Sequence, residues 1–185
     1  MRRIEVKLNL QVVAPLLDLM KETVGDLTGR LAAPQQLQDV DPELRAGWRD
    51  ELLQGQNDDC RKFLAMFDRD FFAGGVVGFD EANAEGVLRA CAAIRLRLRD
   101  RELAGVADDA LESGSLDITQ LTPRLQKAFM CYVFLATLQE LIIQHLDAAL
   151  LAGCGGGEGP GQGLLPATSA AVIGDPGIVG AFGIR

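Results

Sequence analysis

TPRLQKAFMCYVFLATLQELIIQHLDAALL, residues 122 to 151, decides the fold class. Thr122 followed by Pro123 starts a helix. The hydroxyl accepts from a free first-turn N–H, and proline at the first helical position has no hydrogen bond to lose. From Ala128 to Leu138 the run is apolar apart from Thr137. A helix that is apolar all round is buried or spans a membrane. A span needs roughly 20 apolar residues, and Gln139, Glu140, Gln144, His145 and Asp147 interrupt this one. The stretch is therefore expected to be the core helix of a bundle. Past Leu138 the pattern narrows to Leu138, Leu141, Ile142, Leu146 and Leu150, a one-sided stripe that should emerge toward solvent.

The rest of the chain supplies the helices to surround it. Val13, Leu17, Met20, Val24, Leu27 and Leu31 alternate steps of four and three, the seam of a helix from about Val12 to Leu31 packed nearly parallel to a neighbour. That neighbour is expected within the chain, with a dimer seam as the lesser alternative. Asp41-Pro42 opens another helix, on which Leu44, Trp48 and Leu52 form a stripe, and Gly55 is expected to break or bend it. Asp58 to Phe72 then carries Cys60, Phe63, Leu64, Phe67 and Phe71 on one face. It should lie against Phe129, Tyr132 and Phe134 of the core helix, with Gly74-Gly75 ending it. Asp80 is expected to cap a helix running to about Leu103, with Val87, Cys91, Ile94 and Leu98 inward. Gly105 to Ser115 is polar, with room for a short helix. Near the N-terminus Ile4, Val6, Leu8 and Leu10 alternate with charged and polar residues, the period of a strand. Its best partner is Val76 to Phe79; Leu116 to Ile118 and a second copy of the chain are alternatives.

The expected fold is thus all-α: a bundle of about five main helices around the apolar helix 122–151, with a short two-stranded β piece. The expected domain is 1–152. Residues 153–185 are rich in glycine and poor in charge, and order in such a chain costs too much backbone entropy, so a flexible tail is expected there.

The net charge of −8 argues against general affinity for nucleic acid or anionic membranes. Cys60, Cys91, Cys131 and Cys154 form no C-x-x-C pair, so free thiols in a reducing cytoplasm are expected. No apolar run follows Arg2 and Arg3, so no signal peptide is expected. His145 is the only histidine, and Glu140 lies five residues before it, off the spacing a helical metal pair needs. Arg89, Arg95, Arg97, Arg99 and Arg101 are the best nucleic-acid cue. At about 100° per residue they flank the apolar stripe on both sides, and Asp100 and Glu102 lie among them. Salt bridging is the expected role. Asp58, Asp59, Asp68 and Asp70 lack calcium-loop spacing and suit the polar face of the phenylalanine helix. GCGGGEGPG, from Gly153, has no G-K-[ST] and no preceding strand. Ser113, Ser115 and Ser169 sit in no nucleophile elbow. No catalytic, cofactor or metal residue is assigned.

In order, the chain shows an N-terminal apolar helix, DPELRAGWRDELL, NDDCRKFLAMFDRDFF, FDEANAEGVLRACAAIRLRLRDREL and a late FLATLQELIIQHL. Over roughly residues 3 to 150 it resembles an uncharacterised all-helical bacterial family carried as a domain of unknown function. Members of that family in actinobacteria are often encoded beside the proteolytic adaptor ClpS. The resemblance implies no catalytic residues and a link to regulated proteolysis. The expected function is a cytoplasmic, non-enzymatic protein-interaction or regulatory module, acting on an unknown protein partner or by self-association, without nucleic acid or membrane. The alternative is an enzyme with an interhelical carboxylate site built from residues such as Asp68, Asp70 or Glu140.

Overall fold

The computed structural model describes residues 3–113, 116–153 and 182–184. Its first element is strand β1, Arg3–Leu8, in which Ile4, Val6 and Leu8 are buried and Arg3, Glu5 and Lys7 exposed. It pairs antiparallel with β2, Val76–Asp80, setting Ile4 opposite Phe79 and Val6 opposite Val77. A one-residue slip would turn the charged set inward, so the alternation fixes this register. The expected partner strand is therefore the one used. A third strand, β3, Phe182–Ile184, lies on the other side of β1. Apart from Gly153 and these three residues, the expected tail lies outside the described residues, as do Cys154, Ser115 and Ser169.

Helix α1, Leu10–Leu27, starts two residues earlier than its periodicity suggests, because the Asn9 side chain accepts from the Gln11 N–H at 3.0 Å. This ends the strand at Leu8 and puts Leu10 in the helix. Val13, Leu17, Met20 and Leu27 of the seam are buried against α4 and α6, so the seam packs within the chain. The helix stops at Leu27, short of Leu31. There α2 supplies the caps: Asn57 donates to the Thr28 carbonyl at 3.0 Å and Gln56 to the Arg30 carbonyl at 2.9 Å.

Helix α2, Pro42–Ala65, runs straight through Gly55. The expected break comes instead at Met66–Asp68, where the Asp68 carboxylate accepts from the Asp70 and Phe71 N–H groups and starts α3, Arg69–Gly74. The phenylalanine stripe continues across this break as an edge-to-face ladder, Phe63 to Phe67 at 5.3 Å and Phe67 to Phe71 at 5.1 Å. Asp80 does not cap the next helix directly. It forms a turn with Asn83, and α4 spans Ala84–Arg101. The short α5, Asp108–Ser113, precedes α6, Pro123–Gly153.

The four long helices form the expected bundle. Helix α6 is buried over most of its apolar run and packs on α1 and α4. It continues unbroken through Gln139 and Glu140, and its Pro123–His145 part is long and apolar enough to cross a membrane by length and composition. Here Phe134, Leu135, Leu138 and Ile142 instead lie in the core. Helix α4 has the wider set of neighbours, touching α1, α2 and α6. Helix α2, which carries Phe63, therefore packs on α4, where contact with α6 was expected. All share one hydrophobic cluster with the inner face of the sheet.

Candidate interaction surface

The arginines of α4 are engaged. Arg89 grips Asp59 of α2 through Nε at 2.7 Å and also meets Glu85. Arg97 pairs with Asp26 of α1 and with Asp100, and Arg99 with Asp108 at 2.8 Å. Arg101 reaches Glu22 at 3.2 Å. Arg95 lies over the Tyr132 ring, 4.4 Å from its centre, and donates to Gln139 at 2.7 Å. The network closes through Arg124, which bonds Glu102 at 2.7 Å and Glu22 at 3.0 Å. Hydrogen bonding from Arg97 holds the Asp26 carboxyl below its ordinary range, and Arg124 does the same for Glu102. These side chains clamp α1, α2 and α6 to α4.

The other candidates are structural as well. Asp59 is 8% exposed and held by Arg89. Asp58 pairs with Arg61 at 2.6 Å. Asp68, Asp70 and Glu140 are all exposed; Asp68 is a helix cap, and Glu140 accepts from Gln144 at 2.9 Å. At the end of the core helix His145 is exposed, while Gln139 ties α6 to the Leu88 carbonyl of α4 at 3.0 Å. Cys60, Cys91 and Cys131 are free and buried. Burial pushes the Cys60 thiol up to about 11 and the Cys131 thiol up to about 12, and it raises Cys91 further. Among the described residues no group of three His, Cys, Asp or Glu side chains is placed to hold a metal.

Among the described residues, the apolar side chains of the first half of α2 are left uncovered. Residues 41 to 52 are all exposed, including Leu44 at 53%, Trp48 at 50% and Leu52 at 49%. Here α2 faces α4 across a groove, Arg45 and Arg49 on one side and Leu96 and Arg97 on the other, where its second half is tied to α4 through Asp59 and Arg89. Phe72, Val76, Leu96 and Ile143 are also exposed, but on four separate elements. The α2 stripe is contiguous.

Two connected grooves run beside it. The larger, about 990 Å³, has Arg45 and Arg49 of α2 on one wall, Leu96 and Arg97 of α4 on the other, and Leu31 and Leu37 of the α1–α2 loop beneath. The smaller, about 580 Å³, adds Leu52, and Leu31, Ala32 and Leu96 line both. The loop is fixed at both ends. Gln56 accepts from the Ala32 N–H at 2.9 Å, and Arg45 donates to the Gln38 and Val40 carbonyls at 3.1 and 3.0 Å.

The stripe is visible in DPELRAGWRDELL, but the groove needs residues from three segments and has no local signal. No family model matches the chain, and neither a curated protein nor a solved structure does.

Proposed function

We propose that this protein is a non-enzymatic protein-interaction module of the cytoplasm, and that the first three turns of α2 are its docking face for a partner protein. The observation that carries this is the exposed stripe Leu44–Trp48–Leu52. Exposed apolar side chains set singly need no explanation, whereas a contiguous patch rimmed by charge marks an interaction site. A tryptophan at the patch centre, with arginines beside it, is the composition that dominates protein–protein binding energy. Three buried free thiols support a reducing compartment. A carboxylate enzyme has no comparable support, since Asp68, Asp70 and Glu140 are exposed and two of them are engaged locally.

The test is affinity capture from native lysate with the wild-type chain and with Trp48→Glu, beside light scattering of both. A protein recovered by the wild type and lost with Trp48→Glu is expected. Recovery of ClpS or its protease in that set would support the link to regulated proteolysis that the resemblance implies. A monomer that captures nothing sinks the proposal, as does a partner indifferent to Trp48→Glu.

A further inference from the structure

The larger groove beside α2 holds more cations than acids in a chain of net charge −8, whereas in the smaller Glu51, Asp58 and Asp59 outnumber Lys62 and Arg89. Arg30, Arg45, Arg49, Arg97 and Arg99 line the larger groove, against Asp100 and Asp108. Acids already match three of these arginines: Asp26 and Asp100 for Arg97, Asp108 for Arg99, and Asp26 again for Arg30 at 4.0 Å. Among the described residues Arg45 donates only to backbone carbonyls. Arg49 has no ion pair or hydrogen bond among the described residues. Of the arginines lining this groove, the two without a carboxylate among the described residues therefore sit together on α2. They lie one residue after Leu44 and Trp48, which places them roughly 100° round the helix, next to the apolar stripe. Apolar and basic surface form one continuous arc.

Resting on the docking-face proposal above, we infer that the occupant is an acidic amphipathic helix of a partner protein. It lies along α2, with its apolar stripe on Leu44, Trp48 and Leu52 and a flank of carboxylates on Arg45 and Arg49. Charge complementarity selects the acid: carboxylates meet two guanidinium groups that lack a counter-charge. The walls select the helix. Both are helices whose backbone groups are bonded internally, so they offer no edge for an extended strand, while a helix arrives with its own backbone satisfied. Leu44 to Leu52 spans about 12 Å, which suits two to three turns with apolar anchors at steps of three and four. A second copy fits worse. Two chains of charge −8 repel, and antiparallel pairing of the two α2 faces would set one arginine flank against the other.

The test uses the full chain and two helical peptides of about four turns. One carries leucines at steps of three and four flanked by glutamates. The other has lysines in place of the glutamates. Trp48 is the chain's only tryptophan, so its emission reports on this face. The glutamate peptide is expected to shift the emission to the blue. It should bind at least about tenfold tighter than the lysine peptide at low salt, with the gap narrowing as salt is added. Arg49→Glu, which breaks no described contact, should weaken that binding roughly fivefold and leave the urea midpoint unchanged. Equal binding of the two peptides, binding of neither, or indifference to Arg49→Glu overturns the acidic occupant. A captured protein lost with Trp48→Glu but kept with Arg49→Glu retains the docking face and rejects the acidic helix; a captured protein kept with both rejects the two together. A dimer by light scattering that Trp48→Glu dissolves assigns the face to a second copy instead.

Discussion

Gly75 joins α3 to β2 with φ at 68°, in the left-handed region that other residues avoid. Its N–H bonds the Phe71 carbonyl at 2.6 Å, and its carbonyl accepts from the Leu8 N–H at 2.7 Å. A Cβ placed there would lie 2.8 Å from the Leu8 carbonyl oxygen, whereas one on Gly74 would meet nothing within 4 Å. Gly75→Ala is therefore expected to cost about 2 kcal/mol. Gly74→Ala should be neutral or stabilising by up to about 1 kcal/mol, and urea unfolding of the two variants checks the contrast. The Gly-Gly pair announces a helix end, but which glycine is indispensable depends on a strand some seventy residues earlier. The arginines follow the same logic. Their spacing on α4 predicts flanking positions, yet Asp26 and Asp59 as partners of Arg97 and Arg89 lie 71 and 30 residues away.

At the scale of the element, α2 is two helices in one. Its second half buries Cys60 and Phe63, and its first half is exposed through Leu52. Phe63→Ala should cost about 4 kcal/mol, because a fully buried ring leaves a cavity. Leu44→Glu and Leu52→Glu should each change stability by less than about 0.5 kcal/mol. Equilibrium urea unfolding measures all three. A large loss in either leucine variant would mean the stripe is core after all and would remove the docking face. The expected break at Gly55 fails for a physical reason. A helical glycine costs only about 1 kcal/mol, and packing of the residues that follow on α4 exceeds that. Asp68 ends the run because its carboxylate satisfies two N–H groups of a new helix.

For the whole molecule, two sets of titrating groups bound the pH range of stability. Asp26 and Glu102 are held below their ordinary values of 3.8 and 4.5. Their contribution is present above that range and is lost as pH falls through it. The buried thiols are raised from 9.0, Cys60 to about 11 and Cys131 to about 12. Their contribution is complete below 9.0 and is lost as pH rises from there toward those values. Unfolding free energy should thus be flat between about pH 5 and pH 9 and fall on both sides. Urea titrations at stepped pH test this, and stability still rising above pH 9 would contradict the buried thiols. The acid limb should steepen when salt is low, since the arginine network is partly exposed.

What neighbouring residues settle among themselves could be read from the chain alone. The apolar run of α6, the proline starts at Pro42 and Pro123, the alternation that makes Arg3–Leu8 a strand and the phenylalanine ladder all follow from local periodicity and capping. It took the packed fold to place α4 between α2 and α6, and to leave Leu44, Trp48 and Leu52 facing solvent beside two arginines that have no counter-charge among the described residues. An amphipathic stripe says that one face prefers to leave water. Whether anything among the described residues covers it depends on which helix packs where, and along its first half α2 stands across a groove from α4 with the stripe turned to solvent.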